Sequence, residues 1–321
     1  MFALTIWRPA TLKFISGEGL SLDLVVTGGA GYIGGHLVDR LANLGDVTVI
    51  DDFSSGSYRN RRAKYVKADL SRERPKIAKG SLVYHLTADP DVRESMQQAQ
   101  EHFDRDVRAT LNAAEMARSC DASGIIFTSS STVYGEADRI PTPESERLSP
   151  ISYYGLYKML GEQVLEFYGK NYGMPITSLR LANIIGGRMS HGVIVDFVRK
   201  LRLNPENLEI LGNGRQRKSY VHVNDLIDLL VGLKLNGVKT YNVGNKDWVT
   251  VERIAQIVEE GMHISPQHVF NDTHDGRGWE GDVRLMMLDS SLIERGTGWR
   301  PSITSEEAVR KAVNELLQIK Q

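Results

Sequence analysis

Short apolar runs alternate with longer amphipathic stretches along most of the chain. Six runs are rich in β-branched and aromatic residues and predict β-strands: LVVTG, DVTVIDD, KYVKADL, SLVYHLTA, GIIFTSSST and PITSLRLANI. The stretches over 35–44 and 154–173, and a polar stretch that ends at Arg118, predict helices between them. Strands that alternate with helices are typical of a parallel sheet covered on both faces. We therefore predict an α/β fold with a doubly wound parallel sheet.

The alternation loosens after Ile185. Helices are predicted over 193–203, 224–235, 251–260 and 305–318, with a short strand near LEILG. This mixture predicts a smaller α/β unit that rests on the C-terminal edge of the sheet. We divide the chain into an N-terminal extension over 1–23, a sheet domain over 24–180, and a second domain over 181–321 with some segments that return to the sheet.

The extension fits no ordered element well. It lacks the charged region and long apolar core of a secretory signal. It contains Arg8 and Lys13 and few acids, as organelle-transit segments do, but we interpret it as a disordered extension or the result of a start site assigned too early.

Composition narrows the partners of the chain. The 321 residues carry a formal net charge of −1, which argues against nucleic acid or an anionic membrane as the main partner. No run of apolar residues is long enough to predict a membrane span. Cys120 is the single cysteine, so no intrachain disulfide can form, and we expect a reducing, cytoplasmic compartment.

Glycines cluster where the first strand should pass into the first helix. Gly28, Gly31 and Gly34 have the spacing G-x-x-G-x-x-G, which departs from the G-x-G-x-x-G dinucleotide fingerprint. A bare backbone at a helix N-terminus lets pyrophosphate approach free N–H groups. Asp51 ends the second strand, where a carboxylate would accept both ribose hydroxyls and repel a 2′-phosphate. A plain turn and a capping aspartate are the alternative, but the combination predicts binding of NAD.

A second pattern predicts proton transfer. Tyr154 and Lys158 are four residues apart, so they lie on one face of the predicted helix. A phenol has a pKa of about 10 in water, and nearby positive charge favours its ionised form. Ser130 ends the preceding strand and can bridge the tyrosine and a substrate hydroxyl. We predict that Ser130, Tyr154 and Lys158 form a catalytic group with the tyrosine as base.

A series of motifs now points to a family. The motifs are, in order, TGGAGYIGGHL, DDFSSG, ADL, HLTA, FTSSSTVYG, YYGLYK, LRLANIIGGR, GNGRQRKSYVHVNDL, YNVGN and GWEGDVRLMMLDSS with TGWRP. From about residue 24 to 317 the chain resembles the extended short-chain dehydrogenases/reductases of the NAD-dependent sugar-nucleotide epimerase/dehydratase family. Within it, the chain is most similar to UDP-glucose 4-epimerases of the archaeal and bacterial type. The resemblance implies a Rossmann-like NAD-binding domain followed by a sugar-nucleotide-binding domain.

The resemblance also implies site residues. Those expected to bind the cofactor are Gly28, Gly31, Tyr32, Ile33, Asp51, Asp52, Ser54, Ser55, Gly56, Asp69, Leu70, Leu86, Thr87, Ala88, Ser129, Tyr154, Lys158 and Leu181. Those expected to bind the substrate are Ser130, Thr132, Asn183, Val193, Arg217, Lys218, Arg277 and Met286.

Four positions need comment. Asp106 stands where the family commonly has asparagine, and Leu181 where an aromatic ring usually packs near the nicotinamide. Lys218 aligns with an arginine that grips the diphosphate; lysine cannot form the bidentate fork, so either Lys218 or its neighbour Arg217 has that role. Met286 aligns with a residue that gates the sugar C2 side, and it either admits an acetamido group or packs against the second domain.

The implied reaction is epimerisation at C4 of UDP-glucose and UDP-galactose through a transient 4-keto sugar. Tyr154 removes the O4 proton, NAD takes the C4 hydride, and the sugar turns before the hydride returns. Alternative functions are a UDP-N-acetylglucosamine or UDP-glucuronate 4-epimerase and a non-catalytic NAD-sensing regulator, although a regulator would need a broken catalytic group. Ser131 and Thr132 stand where 4,6-dehydratases carry acids, which disfavours dehydration. No decarboxylase contacts are identifiable.

Two further expectations concern partners and metals. By analogy, the helix that contains Tyr154 and the polar helix before it form a homodimer interface. We expect no metal: His263, His268 and His274 are interpreted as part of a solvated loop, and His85 and His222 as structural.

Overall fold

The computed structural model describes residues 23–272 and 274–318. The predicted extension therefore lies outside the described residues, apart from Asp23. The strands are β1 (Asp23–Thr27), β2 (Asp46–Asp51), β3 (Lys64–Lys67), β4 (Leu82–His85), β5 (Gly124–Ser130), β6 (Ile176–Leu181), β7 (Asn183–Ile185), β8 (Asn207–Leu211), β9 (Arg217–Lys218), β10 (Tyr220–His222), β11 (Val238–Val243), β12 (Val249–Thr250), β13 (Gln267–Asn271) and β14 (Leu285–Met286). The helices are α1 (Tyr32–Leu41), α2 (Val92–Ser95), α3 (Ala99–Phe103), α4 (Ala109–Ser119), α5 (Tyr153–Tyr172), α6 (Val193–Leu203), α7 (Val223–Gly232), α8 (Val251–Met262), α9 (Ser291–Thr297) and α10 (Ser305–Gln318).

A parallel sheet of seven strands organises the molecule. Its strand order is β11-β6-β5-β4-β1-β2-β3. The chain therefore moves one way from β1 to β3 and crosses to the other side of β1 at β4, which makes a switch point between β1 and β4. In such sheets ligands bind outside the carboxyl ends of the strands at this point. The predicted doubly wound, Rossmann-like α/β fold is confirmed.

The sheet is buried on both faces because its strands are apolar at successive positions. Leu24 and Val26 pack in a cluster with α1 and α7, whereas Val25 packs in a second cluster with α4 and α5. Side chains of a strand alternate between faces, so a run without polar residues serves both clusters. Every residue of β5 is buried. The covered sheet holds the carboxyl ends of its strands in fixed positions for the site.

A smaller unit with its own core follows. Its short sheets are β10-β7, β12-β9-β14 and β13-β8. Ile194, Phe197, Ile254, Val258 and Val309 join α6, α8 and α10 in one buried cluster. Strand β11 comes from this half of the chain but pairs with the main sheet. We therefore propose that each domain is defined by the hydrophobic core to which its residues belong, and that no single chain position separates the two domains.

Several elements begin or end at residues other than those predicted, and two of these differences lie near the cavity-forming end of the sheet. The first helix was expected over 35–44, but it begins at Tyr32 and ends at Leu41 because its early glycines are needed for close packing rather than avoided. The run PITSLRLANI was expected to form one strand, but it divides at Ala182. The Ala182 N–H donates to the Val243 carbonyl at 2.8 Å, and the Asn183 N–H turns to the Ser219 carbonyl at 3.3 Å. The chain leaves the large sheet at that residue.

Of the helices that the structure describes, none combines the length and the apolar character needed to cross a membrane.

Candidate active site

A cavity of about 1150 Å³ opens at the carboxyl ends of the main sheet and continues toward the second core. Most residues expected to bind ligands line it: Gly28, Gly31, Tyr32, Ile33, Asp51, Asp52, Ser54, Ser55, Asp69, Leu70, Leu86, Thr87, Ala88, Ser129, Ser130, Thr132, Tyr154, Lys158, Leu181, Asn183, Val193 and Lys218. Four expected residues are not part of its wall: Gly56, Arg217, Arg277 and Met286.

The glycine turn brings the start of α1 against the ends of β1 and β4. Gly28 has a φ of +71°, and a Cβ there would lie 2.8 Å from the Thr87 nitrogen. A Cβ at Gly34 would lie 2.1 Å from the Gly28 carbonyl oxygen. Gly31 is the N-cap of α1 and contributes no side-chain hydrogen bond to its free N–H groups. The turn therefore has the bare backbone and open helix N-terminus that suit a pyrophosphate.

Asp51 is fixed beside this turn. Its Oδ2 accepts the Ala30 N–H at 2.9 Å, and its Oδ1 accepts the Phe53 N–H at 2.8 Å. Burial raises the pKa of the Asp51 carboxyl, and the two backbone donors oppose that change. Each oxygen of an ionised carboxylate has a further lone pair, so Asp51 can still accept hydrogen bonds from two ribose hydroxyls. The turn and Asp51 together fit a dinucleotide.

Ser130, Tyr154 and Lys158 come together at the ends of β5 and α5. The Ser130 hydroxyl hydrogen-bonds with Tyr154 and accepts the Thr132 N–H at 3.2 Å. The Lys158 ammonium donates to the Thr128 carbonyl at 2.9 Å and lies 5.7 Å from the centre of the Tyr154 ring. Lys158 is only 4% exposed. A phenol in the cavity wall thus has a hydroxyl partner in front and a buried cation behind.

The net effect of the protein's own groups is to raise the pKa of Tyr154. Burial raises it, with Asp106 adding to the increase, and the Ser130 hydrogen bond opposes both. Burial also lowers the pKa of Lys158, against the charges of Asp106 and Glu162. The sequence led us to expect that lysine and a cationic cofactor together would favour the phenolate. In the protein alone, desolvation is the larger effect, so the phenolate depends on charge that a ligand brings.

A buried ion pair that the sequence analysis missed supports this group. Arg180 on β6 donates to Glu162 on α5 at 2.7 Å, and both side chains are 8% exposed. The Ser129 hydroxyl also donates to Glu162. Arg180 reaches Tyr134 as well, at 2.8 Å. Glu162 lies one turn after Lys158, and that i,i+4 spacing was the signal that could have indicated it.

His85 closes the other side of the buried layer. Its Nδ1 is hydrogen-bonded to the Thr27 hydroxyl at 2.7 Å, and its Nε2 is hydrogen-bonded to the Thr110 hydroxyl at 3.0 Å. Because the Thr110 hydroxyl donates to the Asp106 carbonyl, it accepts from His85 Nε2, so that nitrogen carries a proton. Burial and Lys158 lower the pKa of His85 to about 3. This agrees with the structural role expected for His85.

The far wall of the cavity comes from the second core. Asn183, Val193 and Lys218 line it, together with Trp279 and Asp282, which the sequence analysis did not single out. Lys218 donates to Asp282 at 2.5 Å, and Asp282 is buried. The Asn183 amide donates to the Ser219 carbonyl at 3.2 Å. This wall is charged: Lys218 is paired with Asp282, and Asp196, Arg199 and Lys200 of α6 line the same cavity.

The four expected residues outside the cavity wall have other contacts. The Arg217 guanidinium lies 5.5 Å from the Trp248 ring centre, so of the two candidate diphosphate residues only Lys218 faces the cavity. Arg277 pairs with Glu136 at 2.9 Å. Met286 is 7% exposed within an apolar cluster. Gly56 packs under the glycine turn, against Ala30.

Two of the histidines considered as metal ligands, His263 and His268, belong to no cluster of metal-ligating side chains among the described residues. His268 pairs with Glu259 at 2.5 Å, and His263 follows the end of α8. A different group, made of Asp89, Glu94 and His102, brings one ligand atom each within 4.8 Å of one another. Arg105 donates to Asp89 at 2.6 Å, so a guanidinium already neutralises that carboxylate. We assign no metal there.

Comparison with known proteins agrees with the resemblance seen in the sequence. The family model described as "NAD dependent epimerase/dehydratase family" matches residues 24–244. A putative UDP-glucose 4-epimerase of Methanocaldococcus jannaschii is 31% identical over 304 residues, which cover 91% of this chain and 97% of that protein. The crystal structure of a UDP-galactose 4-epimerase is 41% identical, with a TM-score of 0.84 over 92% of this chain and 99% of that one.

A third similar protein is named for a different sugar, N-acetylglucosamine. A UDP-N-acetylglucosamine 4-epimerase from Methanobrevibacter ruminantium, solved in complex with UDP-N-acetylmuramic acid, is 27% identical. Its TM-score is 0.82 over 92% of this chain and 98% of that one. The likenesses therefore agree on the family and differ in the sugar. The chain belongs to the NAD dependent epimerase/dehydratase family, and NAD is its cofactor.

Proposed function

We propose that the protein interconverts UDP-glucose and UDP-galactose by epimerisation at C4. The observation that carries the proposal is the Tyr154–Ser130 pair in the wall of one cavity, with Asp51 in one part of that wall and Lys218 in another. The volume of about 1150 Å³ exceeds the roughly 300–1,000 Å³ of an ordinary ligand site. Such a cavity suits two ligands that meet at a tyrosine.

The cofactor would be held by the half of the cavity on the main sheet. Gly28, Gly31 and the first turn of α1 would contact the pyrophosphate, and Asp51 the adenosine ribose. The substrate would be held by the other half, with Lys218 and Asn183 near the diphosphate and Val193 near the base. Anchoring the substrate by its nucleotide leaves the hexose free to turn in front of Tyr154.

When bound in the half of the cavity on the main sheet, NAD would supply the acceptor for the C4 hydride and the donor for its return to the opposite face of the sugar. Tyr154 acts as the base that takes the O4 proton and later gives it back. Ser130 hydrogen-bonds the same tyrosine and can pass the proton between it and the sugar. Lys158 contributes positive charge behind the phenol ring, and its hydrogen bond to Thr128 fixes the ammonium in place.

Two alternative functions, dehydration of the sugar and NAD-dependent regulation without catalysis, are disfavoured. Elimination of water needs a carboxylic acid near C5 and C6, whereas Ser131 and Thr132 occupy the turn beside Ser130. A purely regulatory NAD-binding protein has no need of a tyrosine paired to a serine hydroxyl in the cavity. UDP-N-acetylglucosamine and UDP-glucuronate remain alternative substrates of the same chemistry, and the experiment below compares them.

We also propose that the protein is a homodimer joined through α4 and α5. The two helices pack together on one side of the sheet. Leu111 on α4 is 42% exposed, and Phe167 and Tyr172 on α5 are 57% and 54% exposed. Large exposed apolar side chains on neighbouring helices are typical of an association surface.

The test is a direct assay of the purified protein with four UDP-sugars: glucose, galactose, N-acetylglucosamine and glucuronate. We expect conversion of UDP-galactose to UDP-glucose, with the epimers separated by chromatography. Tyr154→Phe should lower kcat by roughly 10²–10⁴-fold because it removes the base and keeps the ring. NAD affinity, measured by calorimetry, should not change.

Tyr153→Phe is the matched control, because Tyr153 is 39% exposed and adjoins the catalytic tyrosine in sequence. It should keep full turnover. If the wild-type protein binds NAD but leaves all four sugars unchanged, the regulatory alternative is correct. If Tyr154→Phe turns over as fast as the wild type, Tyr154 is not the base.

A further inference from the structure

A buried carboxyl lies behind the catalytic pair and has no role in the proposed reaction. Asp106 belongs to a π-helical turn, Asp104–Arg108, that joins α3 to α4, and it is 3% exposed. Its Oδ1 accepts the Asp89 N–H at 3.1 Å. Its Oδ2 is fully enclosed and has no hydrogen-bond partner. A carboxyl enclosed in this way is costly to ionise, so its position calls for an explanation.

The groups next to Asp106 are those of the active site. The π-helical turn packs against α5, and the residues of α5 whose charges interact with Asp106 are Tyr154, Tyr157 and Lys158. Burial raises the pKa of Asp106 to about 7, with Lys158 as the largest opposing influence. The carboxyl therefore changes charge near neutral pH, directly behind the proposed base.

Every charged or titratable group that faces this cluster bears on its behaviour. Around Asp106, Tyr154 and Lys158 these groups are Asp89 and His85 from β4 and its following loop, His102 from α3, Arg105 from the π-helical turn, and Tyr157 and Glu162 from α5. The His102 ring is buried, with its Nε2 3.8 Å from Asp89. Glu162 is paired with Arg180 and Asp89 with Arg105, and His85 is neutral. Lys158 is thus the cation that Asp106 and Tyr154 share.

We propose, on the basis of the function given above, that Asp106 is a positioning residue that competes with Tyr154 for the charge of Lys158. A single buried ammonium favours one neighbouring anion over two. When Asp106 is ionised, it opposes the phenolate; when Asp106 holds the proton, the ammonium is left to stabilise Tyr154. The two forms, carboxylate with phenol and carboxylic acid with phenolate, contain the same number of protons and the same net charge.

The consequence is that Tyr154 ionises less readily, wherever Asp106 carries its charge, than it would beside an uncharged residue. An ionised Asp106 raises the pKa of Tyr154. Asp106→Asn removes that charge and keeps an oxygen for the Asp89 N–H. We expect the acid limb of kcat against pH to move to lower pH by roughly one unit. Asp104→Asn is the matched control on the same turn, because Asp104 pairs with Arg108 at 2.8 Å, and it should leave the limb in place.

A second readout does not depend on turnover. With tyrosine labelled at the ζ carbon, carbon NMR reports the pKa of Tyr154, whose signal is identified by its loss in Tyr154→Phe. Asp106→Asn should lower that pKa, and Asp104→Asn should not. If the Tyr154 pKa and the acid limb are both unchanged in Asp106→Asn, the proposal is wrong. If no sugar is converted but the Tyr154 pKa falls, the proposed function fails and the charge competition stands.

A third measurement serves if Asp106→Asn does not fold. A buried acid whose folded pKa is raised above its unfolded value of about 3.9 stabilises least at high pH, so stability falls as pH rises through the folded pKa of about 7. Since Lys158 lowers the pKa of Asp106, Lys158→Met should move this fall in Tm to higher pH. A fall that stays at the same pH would overturn the coupling between Asp106 and Lys158.

Discussion

The carboxylate of Asp51 has little freedom to adapt to a different ligand. Backbone N–H groups of Ala30 and Phe53 hold its two oxygens on either side. A phosphate on the ribose 2′-oxygen would meet this fixed negative charge at short range, whereas free hydroxyls can donate to it. We therefore propose that the selection of NAD over NADP depends on the charge of Asp51.

We expect the wild-type protein to bind NAD more tightly than NADP. Asp51→Asn should weaken NAD binding and narrow the difference, because the amide keeps one acceptor and loses the repulsion. Calorimetric titration with both dinucleotides measures this. Asp52→Asn is the control. Asp52 Oδ1 accepts the Ser54 N–H at 2.9 Å, and the substitution should change the affinity for both dinucleotides alike. A wild-type preference for NADP would contradict the assignment.

Met286 is a second residue whose environment decides its role. It packs among Val133, Tyr134 and Leu288 and is absent from the cavity wall. Of the two roles considered from the sequence, packing against the second domain fits this position, and gating of the sugar does not. A larger side chain there would strain the cluster rather than reshape the sugar site.

Met286→Tyr should therefore lower the free energy of unfolding by about 1–3 kcal/mol, the usual cost of overpacking. The ratio of kcat/KM for UDP-N-acetylglucosamine to that for UDP-glucose should stay the same. Urea unfolding and steady-state kinetics measure the two quantities. A ratio that changes with this substitution would restore Met286 as a gate.

At the level of elements, the position of α5 depends on a buried charge. Glu162 ties this helix to β6 through Arg180 and to β5 through Ser129. Two strands and the helix that carries Tyr154 and Lys158 are thereby joined beneath the cavity. Removing one partner of such a pair leaves the other charge buried and unpaired.

Glu162→Gln should lower the free energy of unfolding by about 3 kcal/mol because Arg180 loses its counter-charge. Urea unfolding gives the value. Glu166→Gln on the same helix breaks only the exposed pair with Lys170, which is worth about 0.3–0.5 kcal/mol. Equal effects of the two substitutions would mean that the buried pair does not hold the helix.

The sequence predicted elements more reliably than their ends. The helices over 193–203 and 305–318 were placed correctly because their apolar positions repeat at helical spacing. The start of α1 was predicted too late, because glycine propensity argued against a helix that tertiary packing required. Strand β11 was not predicted as a strand, since its pairing with β6 depends on a partner far away in the chain.

In the candidate site, too, residues within local motifs were predicted, whereas contacts between distant parts of the chain were not. Local motifs predicted the residues of the glycine turn and of the Ser–Tyr–Lys group, and these do meet in the cavity. Whether Arg217 or Lys218 faces the cavity depends on the alternation of side chains along β9, which two residues of sequence cannot determine. The Glu162–Arg180 pair joins residues from two elements, so no single motif contains it.

At the scale of the whole molecule, the outer face of α4 and α5 carries the exposed side chains of Leu111, Phe167 and Tyr172. The main sheet covers their inner face, and α5 carries Tyr154 toward the cavity. A second copy placed by a twofold axis would bury the exposed apolar side chains of both helices at once. Association would then also restrain the helix on which the base is placed.

We expect the wild-type protein to elute with twice the mass of one chain in size-exclusion chromatography with light scattering. Phe167→Asp should produce monomers, because it places a charge in the apolar contact while costing the separate chain little at an exposed position. Leu203→Asp is the control: Leu203 is 82% exposed at the end of α6 and lies outside the proposed surface, so the mass should stay doubled. A wild-type protein that elutes as a monomer at assay concentration would show that α4 and α5 are not an interface. A dimer that survives Phe167→Asp would place the interface on another face.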